Sequence, residues 1–95
     1  MALDDFFYKL KSRTPGLVEN IWQVLLNANS TSPDTSITLS QIRDRYYELT
    51  EESFPRMGEP RVEMLFILSI PFVAAFSNSV GTLRFYILDY PESLV

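Results

Sequence analysis

The side chains best suited to acid–base chemistry in this sequence are two adjacent acidic pairs, Asp4-Asp5 and Glu51-Glu52. Neighbouring residues of a helix point about 100° apart, so neither pair directs both carboxylates at one substrate. The chain contains no cysteine and no histidine, which removes thiolate and imidazole metal ligands and the histidine of a catalytic triad. Its three glycines are isolated and form no phosphate-binding loop. We therefore expect no enzyme activity, no catalytic residue, no metal site and no cofactor.

The residues better suited to binding lie on one side of a predicted helix, where charged and polar side chains recur. A mixed set of charges with one aromatic residue is more typical of a protein interface than of a surface for phosphate. The alternative is an ordinary solvated helix face, since most charged residues are exposed. The candidate partner-binding residues are Gln41, Asp44, Arg45, Tyr47 and Glu48.

The overall charge argues against nucleic acid as the main partner. Twelve acidic residues outnumber eight basic ones, which gives a formal net charge of −4, and the basic residues are scattered. Long-range attraction to a phosphate backbone should therefore be weak or unfavourable. RNA remains an alternative partner that the charge does not favour.

Cysteine usage and hydropathy bear on location. Small secreted domains usually carry disulfides, so the absence of cysteine favours an intracellular protein. The amphipathic N-terminus carries Asp4 and Asp5 and has no apolar stretch typical of a signal peptide. The most apolar segment, residues 64–76, is shorter than the roughly 20 residues that span a bilayer, and Pro71 interrupts it. We expect no membrane insertion.

Apolar spacing predicts two helices in the first part of the chain. The first dozen residues carry a stripe formed by Leu3, Phe6, Phe7 and Leu10. With Tyr8, this stripe either folds back on the core or forms an apolar arm for a partner chain. Thr14 and Pro15 have N-cap and N1 chemistry, which predicts a second helix ending near Ala28. In the polar loop that follows, residues 29–36, we expect nothing to be buried.

A capping box predicts the start of a third helix. The hydroxyl of Thr38 can accept from the amide of Gln41, whose side chain reaches back, and the helix should end near Thr50. Its predicted inner face consists of Leu39, Ile42, Tyr46 and Leu49. Tyr46 is therefore expected in the core and not as a base-stacking residue, whereas Tyr47 should be exposed.

The remaining elements complete a fold class. After a loop at residues 53–59, Pro60 is placed to begin a fourth helix, and strands are predicted at 72–77 and 82–88, joined through 78–81. A brief extended segment is expected at Ser36-Ile37. The order is that of an α+β winged helix-turn-helix with about four helices and a C-terminal β-hairpin wing. We divide the chain into an amphipathic helix at 1–13, a winged-helix domain at 14–90 and a tail at 91–95.

The second hairpin strand has one polar face. Leu83, Phe85 and Ile87 should face inward, and Thr82, Arg84 and Tyr86 outward. This outward face is a candidate dimer contact, and Arg84 could alternatively contact RNA. The alternative is that Arg84 is an edge-strand charge that discourages unwanted pairing.

Residues 37–50 contain the segments Ile37-Thr38-Leu39-Ser40-Gln41-Ile42 and Arg45-Tyr46-Tyr47-Glu48-Leu49-Thr50. Together with Phe54-Pro55 and Ser69-Ile70-Pro71, in this order and spacing, they resemble the LOTUS domain, also called OST-HTH. The resemblance covers roughly residues 17–88. The loops at 29–36 and 53–59 are longer than is usual in that family, and the chain stops soon after the last strand.

The resemblance implies a non-catalytic protein-binding module of RNA-regulation proteins, which in animals chiefly organise germ granules. In one subset of LOTUS domains, the helix matching Leu39–Thr50 and a helix after the hairpin bind the C-terminal RecA-like domain of Vasa-type DEAD-box helicases. That second helix would begin near Glu92 here. Another subset lacks it and binds structured, G-rich RNA, and some members dimerise through the wing. The expected function is therefore helicase recruitment in cytoplasmic RNA–protein assemblies such as perinuclear germ granules, with RNA binding or homodimerisation as alternatives.

Overall fold

The structure is a computed structural model that describes residues 2–71, 73–77 and 79–88 of the 95-residue chain. These residues form four α-helices and a three-stranded antiparallel sheet. The elements in chain order are α1 (Ala2–Arg13), α2 (Leu17–Asn27), β1 (Ile37–Thr38), α3 (Leu39–Thr50), α4 (Pro60–Leu68), β2 (Val73–Ser77) and β3 (Leu83–Ile87), with a 3₁₀ turn at Pro33–Thr35 before β1. The predicted α+β class and element order are confirmed, and the arrangement is compatible with a winged helix. The predicted tail at 91–95 and the helix expected near Glu92 lie outside the described residues.

The sheet places the second strand of the hairpin in the middle. The strand order is β1-β3-β2, with Ile37 opposite Phe85 and Val73 opposite Ile87. Phe85 and Ile87 are buried, which confirms the predicted inward face. Because β3 has a neighbour on each side, the interpretation of Arg84 as an edge-strand charge is wrong.

The core lies between the inner faces of the helices and the sheet. Its largest fully buried side chains include Tyr46 of α3, Phe66 of α4 and Phe85 of β3. Phe7 of α1 packs edge-to-face on Phe66, with 5.1 Å between ring centroids. Phe7 therefore folds back on the core, which was one of the two alternatives predicted for this helix; it does not form part of an apolar arm. Phe6 stays exposed.

The start of α2 differs from the prediction. The amide of Leu17 donates to the carbonyl of Thr14 at 3.1 Å, and Gly16 between them has φ 83° and ψ 4°. These are the features of a type II turn, for which proline at the second position and glycine at the third are favoured. Pro15 and Gly16 thus form a turn between α1 and α2. The prediction that Thr14 caps α2 is wrong.

The loop at residues 29–36 also contradicts its prediction, because Ser30 and Ser36 are fully buried. The carbonyl of Ser30 accepts from the amide of Ile87 at 2.8 Å. The carbonyl of Ser36 accepts from the guanidinium of Arg84, with 3.0 Å to Nε. Buried backbone groups require hydrogen-bond partners, and β3 supplies them here. The loop is therefore fastened to the sheet.

The third helix begins and ends as predicted. The amide of Gln41 donates to Oγ1 of Thr38 at 3.3 Å, and the amide of Thr38 donates to Oε1 of Gln41 at 2.9 Å. This reciprocal capping box satisfies amides that the first turn of a helix leaves unpaired. Since Thr38 is also the last residue of β1, the start of α3 is fixed directly to the sheet.

Candidate functional site

The residues predicted to bind a partner all lie on the exposed part of α3. Leu39, Ile42 and Tyr46 are buried and hold the helix against the core, as predicted for these three. The five candidates are exposed: Gln41, Asp44, Arg45, Tyr47 and Glu48. The structure thus places all of them at the surface, and Tyr47 is the exposed tyrosine that the spacing predicts.

A cleft lies on each side of α3, and three of the five candidates line one or the other. The first, here called the α2–α3 cleft, has a volume of about 220 Å³ and is lined by Val24, Asn27, Arg45, Glu48 and Leu49. The second, here called the α3–α4 cleft, has a volume of about 590 Å³, and its wall includes Tyr47. Arg45 and Glu48 therefore share one cleft and Tyr47 belongs to the other, while Gln41 and Asp44 line neither.

Leu49 is the residue of the α2–α3 cleft that the sequence interpretation places wrongly. The spacing predicts it in the core, yet its side chain is 42% exposed. The stripe from Leu39 repeats every 3.5 residues, whereas a helix turns every 3.6, so its last member drifts towards the flank of the helix. There it lines the cleft with Val24 and Asn27, and α2 ends at Asn27. The sequence feature that could have predicted this exposure is that Leu49 is the last apolar residue of the stripe.

The α3–α4 cleft contains an ion pair that the sequence interpretation missed. A nitrogen of the Arg43 guanidinium donates to Oε1 of Glu63, and the amide of Met57 approaches Oε2 of Glu63 at 3.4 Å. Glu63 is buried, so these contacts compensate for its removal from water. The sequence did contain a signal for this burial. Glu63 precedes Phe66 and Ile67 by three and four residues, so helical spacing places it on the inner face of α4.

The loop after α3 supplies the rest of this cleft. Phe54 is buried edge-to-face against Tyr46, with 5.3 Å between ring centroids. That contact holds the loop against α3 and leaves Ser53, Arg56 and Gly58 at the cleft wall. Arg56 is exposed. It was not among the sequence candidates, because nothing local places residue 56 beside residue 43.

The predicted wing residues have different surroundings. Arg84 is half-buried and held by Ser36, so its guanidinium is already engaged within the chain. Tyr86 is half-buried and Thr82, just before β3, is exposed. Arg84 lies opposite Phe76 of β2, and residues directly opposite in an antiparallel pair share a face. The outward face of the wing therefore includes the exposed ring of Phe76.

Neither a metal cluster nor a membrane span is found in the part of the chain that the structure describes. No group of three or more acidic side chains there is arranged to hold a metal ion. No helix among these residues is both long enough and apolar enough to cross a bilayer.

Comparison with known proteins adds no family. No protein-family model matches this chain, and none of the curated proteins matches its sequence.

Proposed function

We propose that this chain is a LOTUS-type interaction module that recruits a Vasa-like DEAD-box RNA helicase to germ granules or a related cytoplasmic RNA–protein assembly. The module binds the C-terminal RecA-like domain of the helicase through α3. The observation that carries the proposal is the exposed Leu49 in the α2–α3 cleft, which Arg45 and Glu48 also line. The family motif on α3 and its capping box support the same surface.

The chemistry of this surface favours a protein partner. Protein interfaces combine a small apolar centre with a polar rim, and a few anchoring residues carry most of the binding energy. Leu49 supplies an apolar contact at one edge of this surface, and Gln41, Asp44, Arg45 and Glu48 supply polar groups of both charges beside it. The two carboxylates would repel a phosphate backbone, so a nucleic acid fits this side of α3 less well.

Substitution of this apolar contact tests the proposal. We expect Leu49→Asp and Arg45→Glu each to weaken binding to the C-terminal RecA-like domain by about ten-fold or more, because an apolar contact and a charge beside it are lost. The full chain is titrated with that domain by isothermal calorimetry. The matched control is Leu65→Asp in α4, whose side chain is similarly exposed at 40% and lines neither cleft.

The proposal fails if Leu65→Asp loses as much affinity as Leu49→Asp, or if the unsubstituted chain does not bind the domain. Binding of G-rich RNA in place of the helicase, with affinity falling steeply as salt rises, would favour the RNA alternative.

A second candidate function is homodimerisation through the wing. Within the described strands β2 pairs with β3 alone, and its five residues contain no charge and no proline to block pairing with another chain. Phe76, exposed on this strand, adds apolar area.

Sedimentation equilibrium tests self-association. We expect the unsubstituted chain to form dimers and Phe76→Lys to be monomeric at the same concentration, because a lysine on an edge strand opposes pairing. Phe6→Lys, at a comparably exposed phenylalanine of α1, is the control and should stay dimeric. A monomeric unsubstituted chain at the highest soluble concentration rules the dimer out.

A further inference from the structure

The α3–α4 cleft is built from three separate segments of the chain. Arg43 and Tyr47 come from α3, Arg56 and Gly58 from the following loop, and Pro60 from the first turn of α4. Its volume of about 590 Å³ lies within the range of sites that hold a small ligand or a few side chains of a peptide. The cleft is on the opposite side of α3 from Leu49, so it can bind independently of the α2–α3 cleft.

The exposed charge of this cleft is positive, although the whole chain is acidic. Glu63 is buried and already bound by Arg43, so it presents little negative charge to an occupant. Arg56 is exposed, and no acidic group of the described residues forms an ion pair with it. Because Pro60 is the first residue of α4, the positive end of that helix dipole also lies at the cleft. These three features favour an anionic group.

The cleft also has an apolar wall and open space. Tyr47 presents an exposed ring, and Phe54, although largely buried, also lines the cleft. Gly58 has φ 94°, which a residue without a side chain adopts without strain, and nothing lies within 4 Å of where its side chain would start. An occupant that is partly apolar therefore has a surface to contact beside the arginines.

We propose that the α3–α4 cleft binds an acidic peptide segment of a protein partner. A carboxylate of the peptide accepts hydrogen bonds from Arg56 and from the exposed part of Arg43, whose planar guanidinium groups match a carboxylate. A neighbouring apolar side chain of the peptide packs on Tyr47. This contact is separate from helicase recruitment and does not depend on it.

The charges that adjoin the cleft in sequence favour a peptide over RNA. Glu51, Glu52 and Glu59 flank the lining segments, and the formal net charge of the chain is −4. An extended phosphate backbone would meet these acidic residues along its length. A single carboxylate needs only the two arginines of the lining, so it meets fewer of these acidic residues than an extended phosphate backbone does.

Fluorescence anisotropy with labelled peptides tests the cleft. The probes are short fluorescein-labelled peptides in which an aspartate or glutamate lies at varied spacing from a phenylalanine, each paired with its asparagine or glutamine counterpart. At least one acidic peptide should bind the full chain about ten-fold more tightly than its amide counterpart, because charge-assisted hydrogen bonds are lost in the amide. Arg56→Glu should weaken that binding by about ten-fold or more. Arg61→Glu, an equal charge change at an exposed α4 residue outside the lining, should not.

Three outcomes overturn the proposal: equal binding of the acidic and amide peptides, a loss of affinity in Arg61→Glu as large as in Arg56→Glu, or displacement of the peptides by an oligouridine RNA as the tighter ligand. Helicase binding distinguishes the two surfaces: Arg56→Glu should retain it, while Leu49→Asp should retain peptide binding. Loss of both activities in either variant would mean that the two clefts are not separate sites.

Discussion

Replacing Phe85 with alanine is expected to destabilise the protein by about 3–5 kcal/mol, the cost of deleting a buried aromatic ring and leaving a cavity. Phe85 is fully buried in the middle strand, where it lies opposite Ile37 of β1 and Ala75 of β2. The substitution therefore removes a large side chain from both strand pairs of the sheet, β1 with β3 and β2 with β3. Domains of this size are stable by only about 5–15 kcal/mol, so the substitution removes a large part of the total.

Thermal and urea unfolding followed by circular dichroism measure this effect. The Phe85→Ala variant should melt more than about 10 °C lower than the unsubstituted chain. Phe6→Ala is the matched control, because Phe6 is the same residue type with its side chain exposed and lies outside the proposed dimer edge. Its cost should stay below about 1 kcal/mol. Equal losses at the two positions would mean that the sheet does not pack on the core as described.

Replacing Arg43 with leucine is expected to cost about 2–3 kcal/mol, because it leaves the buried carboxylate of Glu63 without its charged partner. This loss of unfolding free energy is smaller than for a fully buried pair, because the Arg43 side chain is 42% exposed and water screens part of the interaction. The remaining contact, from the amide of Met57 at 3.4 Å, is too long to compensate.

Urea titration of a double-mutant cycle isolates this interaction. Arg43→Leu combined with Glu63→Leu should be more stable than Arg43→Leu alone, because an apolar pair needs no charge compensation. The control is Arg45→Leu, the same change two residues later at an exposed site, which should alter the free energy of unfolding by less than about 0.5 kcal/mol. If Arg43→Leu proves as stable as Arg45→Leu, the ion pair contributes nothing.

The parts of the fold that local chemistry determines could be predicted from the sequence. The capping box of Thr38 and Gln41 involves residues three apart, and its signature predicts the start of α3 without knowledge of the rest of the chain. Helical spacing likewise predicts that Tyr46 is buried and its neighbour Tyr47 exposed. The class and the element order follow from the same local patterns.

Most of the features that the sequence predicted wrongly, or did not reveal, depend on contacts between residues far apart in the chain. The prediction for Arg84 assumed an edge strand, but the strand order puts β3 in the middle and brings Ser36, 48 residues away, to its guanidinium. The pair of Arg43 and Glu63 spans 20 residues and was missed for the same reason. Local signals also competed at Pro15 and Gly16, where turn chemistry prevailed over helix capping. Surface exposure of the five candidates on α3 follows from helical spacing, while the clefts that three of them line depend on α2, α4 and the loop before α4.

The junction between β1 and α3 has a mechanical consequence. Thr38 ends the strand and caps the helix, with no residue between the two elements to absorb motion, and it lies opposite Arg84 in the sheet. A force applied to the helix by a bound protein therefore passes into the hydrogen bonds between β1 and β3 and not into a flexible hinge. The bonds from Arg84 to Ser36 resist that shear two residues before the junction. The helix that lines both clefts is thus attached to the sheet without a hinge, so a load on its surface is shared by the sheet.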